Sequence, residues 1–137
     1  VGTIPVGDWP KIDVHGVIIP GSWHKKNKFE FLSPYAKEVL QWMSYRSDQK
    51  IILWTSSYKT ETDSIANWLK SHGINIDYVN CNPEVTNTEY AEFADKPYFN
   101  VGLDDKFGME PSDWKLIKQE LIDIGEWNWK IIWTRLN

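Results

Sequence analysis

The sequence predicts an α/β fold, a parallel sheet flanked by helices, on three observations. Extended apolar runs alternate with helical patterns in the order strand, helix, strand, helix, strand, loop, strand, helix. The run Lys50-Ile51-Ile52-Leu53-Trp54 is apolar without a break after its lysine, the pattern of a strand buried on both faces of a parallel sheet. A length of 137 residues suits one domain over residues 1–137 and leaves no room for two ordinary cores.

The elements follow in order. Residues 1–9 are a lead-in bearing Gly and Pro, and Pro10-Lys11-Ile12-Asp13-Val14 reads as a short strand. His15-Gly16 breaks it, and Val17-Ile18-Ile19 gives a second extended piece ended by the turn pair Pro20-Gly21. With apolar Phe29-Glu30-Phe31 on the far side, residues 17–31 read as a short flap-like hairpin. Ser33-Pro34 pairs an N-cap with a proline at the first helical position. Val39, Leu40, Trp42 and Met43 then keep helical spacing, so a helix is predicted to about Arg46.

After the strand at 50–54, Thr55-Ser56-Ser57 ends the run, and Thr60 is expected to cap a helix striped by Ile65, Trp68 and Leu69 and stopped at Gly73. Residues 74–79 read as a strand, 80–96 as irregular chain, and Tyr98 to Leu103 as a strand delivering Asp104-Asp105. Pro111-Ser112-Asp113 opens the last helix, with Trp114, Ile117, Leu121 and Ile124 inside and Gly125 as its stop. The core is thus expected over about 10–124, with 126–137 as a Trp-rich tail of unassigned structure. Strands in this order, joined by right-handed crossovers, give a three-layer, Rossmann-like arrangement.

Composition bounds the partners. At 42% hydrophobic and 15% aromatic the chain is too apolar for a disordered segment. No apolar run approaches the roughly 18 residues of a membrane span, and no charged-then-apolar leader opens the chain, so neither membrane nor export is expected. Residue 1 is valine, which suggests that the gene start lies upstream. The single cysteine, Cys81, excludes an internal disulfide framework and fits a reducing, cytoplasmic setting. The net charge is −4 with two arginines, Arg46 and Arg135, so strong general binding to nucleic-acid phosphates is not expected. The basic tip at Lys25, Lys26 and Lys28 reads as a solvated turn or as a hold for a partner. The nine tryptophans read as packing residues ahead of a stacking surface. His24 and His72 have no companions at ligand spacing. His72 before Gly73 suits a helix C-terminus electrostatically. Cys81 has no paired histidine and reads as a loop or packing thiol.

Function is expected where the strands end. The first run ends at Asp13 with His15-Gly16 beyond, the second at Thr55-Ser56-Ser57, and the last at Asp104-Asp105. In parallel sheets ligands bind outside the carboxyl ends of the strands. Converging carboxylates repel, and a hard divalent cation with oxygen ligands, Mg²⁺ above all, relieves that cost. Thr55 and Ser56 supply hydroxyl and backbone N–H donors suited to phosphate oxygens.

These residues resemble the haloacid dehalogenase superfamily of phosphohydrolases. Its first motif, Asp-x-Asp-Gly-Thr/Val, is matched by Ile12-Asp13-Val14-His15-Gly16-Val17 except at the second acid. The second, an apolar strand ending in Thr or Ser, is matched by Ile51-Ile52-Leu53-Trp54-Thr55-Ser56, and the fourth by Val101-Gly102-Leu103-Asp104-Asp105. The wording from Asp95 to Lys106 looks like that of small capless members from phages and bacteria.

The resemblance implies Asp13 as nucleophile, forming an aspartyl-phosphate, and Thr55 bonding a phosphoryl oxygen with Ser56 and Gly16 beside the substrate. It implies Mg²⁺ held by Asp13, the backbone carbonyl of His15 and the Asp104-Asp105 pair, with Asp105 as direct ligand and Asp104 its support. Two departures follow. His15 replaces the acid that protonates the leaving group, so it either works as an acid-base imidazole or leaves a degenerate module that binds a phosphorylated ligand or partner without releasing it. Lys96 matches the third motif by wording, yet an extended strand at 98–103 sets it roughly 25 Å from Asp104 at about 3.3 Å per residue. Lys59 and Lys106 are the other lysines near strand ends. Residues 17–31 and 74–96 are too short for a cap domain, so the resemblance implies an open site and a phosphorylated substrate that is small or macromolecular.

Overall fold

The computed structural model describes residues 7–21 and 28–127. Its elements are β1 (Pro10–Asp13), α1 (Pro34–Tyr45), β2 (Ile52–Trp54), α2 (Lys59–Ser71), β3 (Tyr78–Val79), β4 (Val101–Leu103), a 3-10 turn (Asp105–Phe107) and α3 (Asp113–Asp123). The strands form one parallel sheet in the order β3-β2-β1-β4, with Asp13 paired to Trp54 and Ile12 to both Leu53 and Leu103. This is the Rossmann-like α/β arrangement with flanking helices that the alternation predicts.

The order fixes what covers each face. The steps from β1 to β2 and from β2 to β3 run the same way across the sheet. Right-handed crossovers therefore lay α1 and α2 on one face. The step from β3 back past β1 to β4 runs the other way, which sends residues 80–99 over the reverse face. Packing follows this division. Ile12, Ile51 and Leu53 share a core with Val39 and Leu40 of α1, Ile65 and Leu69 of α2, and Trp114 of α3. The alternate strand positions Ile52 and Trp54 pack instead with Trp9, Val85, Phe93 and Tyr98.

Helix starts and stops are set by local chemistry. Ser33 is the N-cap of α1, its hydroxyl accepting from the Tyr35 N–H at 3.2 Å with Pro34 at the first position. At the end of α2, Gly73 takes φ +76°. The Ile74 N–H reaches the Leu69 carbonyl and the Gly73 N–H reaches Lys70, which satisfies two terminal carbonyls. Trp114 is fully buried and its indole N–H donates to the Val17 carbonyl at 2.9 Å.

Several expectations change. Val17-Ile18-Ile19 is not extended: the N–H groups of all three turn back to the Val14 carbonyl, which buries their side chains in a tight loop. The Leu32 N–H bonds to the Ile18 carbonyl, but no hairpin strand forms at 17–21 or 28–31. The tip with His24, Lys25 and Lys26 lies outside the described residues, as do the lead-in at 1–6 and the tail from 128 onward. Thr60 does not cap α2; the helix starts at Lys59 after Tyr58, with no side-chain cap bond. The strands expected at 74–79 and 98–103 shrink to Tyr78–Val79 and Val101–Leu103. Ile124 is 59% exposed because it follows the last turn of α3. His72 gains little from its helix end: burial first, then the charge of Lys37, pushes its pKa below the usual 6.5. Its ring packs edge-on to Phe31 and Trp68. Among the described residues no helix is long and apolar enough to cross a membrane.

Candidate functional site

The sheet reverses its direction of winding at β1 and β4, since β2 and β3 lie on one side of β1 and β4 on the other. Ligands of open parallel sheets bind at such a switch point, outside the carboxyl ends of the strands. Asp13 closes β1 there and Asp104-Asp105 follow β4. The three residues bring one carboxylate oxygen each within 4.8 Å of one another. Asp104 is 8% exposed and accepts the Lys106 N–H at 2.9 Å, the bond that starts the 3-10 turn. Burial is the main cause that raises the Asp13 pKa from 3.8 to about 6, with the Asp104 charge next and the hydrogen bond and charge of Asp105 behind it. A carboxyl disfavoured as an anion beside two others fits a hard divalent cation, and a donor set made of oxygens alone fits Mg²⁺.

Gly16 makes the crossing close. Its φ is +85°, and a Cβ there would stand 2.7 Å from Asp105 Oδ2. Glycine is required both by the left-handed turn and by the carboxylate packed on its Cα.

A cleft of about 460 Å³ opens beside the carboxylates, lined by Asp13, Trp54, Thr55, Ser56, Asn80, Asp104 and Lys106. Thr55 is nearly buried; its hydroxyl donates to Ser57 Oγ at 3.0 Å and accepts the Ser57 N–H at 3.1 Å. Asn80 holds the same residue from β3. Its side-chain oxygen accepts the Thr55 N–H at 2.9 Å and its amide donates to the Thr55 carbonyl at 2.7 Å. Asn80 does this with φ +56°, a conformation that asparagine tolerates better than most residues. His15 Nε2 meets Glu61 Oε1 at 3.0 Å, and the same oxygen accepts from Ser57 Oγ at 3.0 Å. One chain of polar contacts therefore links His15, Glu61, Ser57, Thr55 and Asn80.

Of the residues singled out in the sequence, Asp13, Thr55, Ser56 and Asp104 line the cleft, and Asp105 joins the carboxylate cluster. Gly16 lies under Asp105, and the His15 side chain is turned to Glu61. Lys96 is exposed and does not line the cleft; Lys106 does. Lys59 instead pairs with Asp63 at 2.8 Å. Lys11, on the same side of β1 as Asp13, is held away in a stack of rings, 4.3 Å from the centre of Trp54 and 4.4 Å from Phe99. Sequence reading overlooked Asn80 and Glu61. Asn80 follows β3, so the rule that sent attention to the other strand ends applies to it equally. Glu61 carries no local signal, since an acid in a first helical turn has a sufficient explanation in the helix dipole.

No protein-family model matches the chain, and no curated protein sequence matches it. A solved structure, described as a conserved protein from Bacteroides thetaiotaomicron, is similar at a TM-score of 0.63 and 24% identity. The similarity covers 87% of this chain and 92% of that one. It shows a shared fold.

Proposed function

We propose that this chain is a Mg²⁺-dependent phosphohydrolase that works through an aspartyl-phosphate on Asp13. The observation that carries the reading is the meeting of the Asp13, Asp104 and Asp105 carboxylates at the switch point of the sheet, beside a cleft with hydroxyl and amide donors. The motif resemblance to the haloacid dehalogenase superfamily supports the same chemistry. Asp13, Asp104 and Asp105 would hold the cation, with the His15 carbonyl as the further ligand that the resemblance implies. Bound there, Mg²⁺ screens the carboxylates from an anionic substrate and stabilises charge on the transferring group.

The residues divide the remaining work. A carboxylate oxygen of Asp13 attacks phosphorus and the ester P–O bond breaks, while the leaving oxygen takes a proton from His15. Water then attacks phosphorus and gives its proton to His15; the bond from Asp13 to phosphorus breaks and orthophosphate departs. Glu61 orients the His15 ring, and Asn80 fixes the Thr55 peptide, which sets the Thr55 hydroxyl and the hydroxyl and N–H of Ser56 toward the phosphoryl oxygens. Lys106 supplies positive charge at the cleft wall. With no cap domain among the described residues the cleft suits a phosphorylated substrate, small or macromolecular, and a reducing cytoplasm is the setting that one exposed, unpaired cysteine suits.

One observation favours a second reading. Glu61 already occupies His15 Nε2, which suits a module that binds phosphorylated ligands without turnover. The test is Mg²⁺-dependent phosphate release from a panel of esters by the native chain, Asp13→Asn and His15→Asp. The hydrolase reading expects turnover by the native chain and loss in both variants. Turnover that appears only in His15→Asp would establish the binding module instead.

A further inference from the structure

Lys11 is a charged residue in the middle of the sheet. It stands on β1 between Ile52 of β2 and Gly102 of β4, and it is 9% exposed. Among the described residues no carboxylate pairs with it. Three aromatic rings surround its ammonium instead: Nζ lies 4.3 Å from the centre of Trp54, 4.4 Å from Phe99 and 5.3 Å from Phe107. Burying a cation without a counter-ion costs stability, and an aliphatic side chain would fill the same place without that cost. Local rules of this kind are broken at functional sites. We propose that Lys11 is a positioning residue of the Asp13 site: its ammonium holds Trp54 and Phe107 together and thereby fixes the turn that carries Asp105 and Lys106. This role rests on the Mg²⁺-dependent phosphohydrolase reading for its metal and not for its chemical step.

The two rings belong to different walls of the cleft. Side chains alternate along a strand and paired residues share a side, so Trp54, the partner of Asp13, stands on the face where Lys11 points. Trp54 lines the cleft from β2. Phe107 closes the 3-10 turn Asp105–Phe107, whose Asp105 joins the carboxylate cluster and whose Lys106 lines the cleft. Phe107 is 63% exposed, so burial alone does not hold it. Its seat is Gly102, where a Cβ would stand 3.0 Å from the Phe107 ring and 3.2 Å from that of Phe99. The ring therefore rests on bare backbone and faces the ammonium. Two hydrogen bonds make the turn one piece: Asp104 accepts the Lys106 N–H on its side chain at 2.9 Å and the Phe107 N–H on its carbonyl at 3.0 Å. A ring that slips from Lys11 takes Asp105 and Lys106 with it.

Charge and positioning act with opposite signs. A cation that reached the carboxylates by charge alone would repel Mg²⁺, and its removal would tighten binding. A cation that positions them strengthens binding, and its removal weakens it. The experiment measures the Mg²⁺ affinity of the full chain by titration calorimetry and, without metal, the exchange of the Lys106 and Phe107 amides by NMR. The variants are Lys11→Met, Lys11→Arg, Phe107→Leu and the double variant Lys11→Met with Phe107→Leu. Methionine keeps an unbranched side chain that packs on aromatic rings, and arginine keeps the charge and stacks on them. Lys11→Met should weaken Mg²⁺ binding about tenfold and speed exchange of the two amides about as much, and Lys11→Arg should restore most of both. Phe107→Leu should match Lys11→Met, and the double variant should be no worse than either single change, because each removes the same contact. Phe107→Leu, made at an exposed ring, keeps the contact testable should Lys11→Met not fold. Tighter or unchanged Mg²⁺ binding in both single variants, losses that add in the double variant, or no Mg²⁺ binding by the native chain would overturn the role. The expected pattern of Mg²⁺ affinities without phosphate release from any ester would leave Lys11 in its role and sink the hydrolase reading.

Discussion

Gly16 and Asp105, eighty-nine positions apart in sequence, touch so closely that a methyl group on Gly16 would stand 2.7 Å from Asp105 Oδ2. The contact also lies at a left-handed φ of +85°. Gly16→Ala therefore meets two penalties, backbone strain and displacement of a carboxylate. The expected result is a drop in melting temperature of several degrees, from a cost of about 1–2 kcal/mol, together with weaker Mg²⁺ binding by titration calorimetry. Unchanged Mg²⁺ affinity in a folded variant would mean that Asp105 is not a ligand.

Asp13→Asn should separate stability from activity. It removes an anion from a crowded, partly buried cluster of three carboxylates, so the metal-free protein at pH 7.5 should melt a few degrees higher than the native chain. Mg²⁺ should raise the melting temperature of the native chain and have a smaller effect on the variant. Phosphate release should fall by roughly 10³-fold or more. A variant that melts lower without metal and still responds fully to Mg²⁺ contradicts the cluster.

Glu61→Gln keeps the shape of the acid and removes its charge from the His15 and Ser57 contacts. Because Glu61 acts through His15, the rate should fall about tenfold and the pH dependence of kcat should move, with KM little changed. A uniform loss with an unmoved pH profile would mark a structural role.

Asn80→Ala deletes both bonds to the Thr55 peptide and leaves an alanine at φ +56°. KM for small phosphate esters should rise and the melting temperature should fall. Asn80→Gly relieves the backbone but not the lost bonds, so it should recover stability and leave KM high. Recovery of both by glycine would refute the role of the side chain.

His72 predicts an acid limb of stability. Its pKa is depressed by burial and by Lys37, so the folded state disfavours its proton relative to the unfolded chain. The contribution is present above the usual value of 6.5 and is lost as pH falls below it. His72→Phe, placed against Phe31 and Trp68, should flatten the urea midpoint between pH 7.5 and 5.5. The same slope in both proteins would exclude His72 as its source.

What the sequence disclosed was local. The Ser33-Pro34 start, the Gly73 stop and the apolar run into Trp54 are each written within a few residues and hold in the fold. The convergence of Asp13 with Asp104-Asp105 was legible because alternating strands and helices constrain where strand ends meet. What could not be read depended on which of several partners a group takes, near or far in sequence. Val17 to Ile19 look like a strand, yet the nearby Val14 carbonyl competes for their N–H groups. Tyr98 and Phe99 are apolar because they cover the reverse face against Phe93 and Lys11, not because they extend the sheet. Asn80 and Glu61 acquire meaning only when β3 and the start of α2 are seen beside Thr55 and His15.

The twin bonds from Asn80 to the Thr55 peptide tie the chain just past β3 to the residue just past β2, on the wall of the cleft. Because the bonds grip both the N–H and the carbonyl of Thr55, a shift of Asn80 would carry that peptide with it. An edge strand of the sheet thus holds the cleft wall in place, and whatever frays that edge would loosen the wall with it.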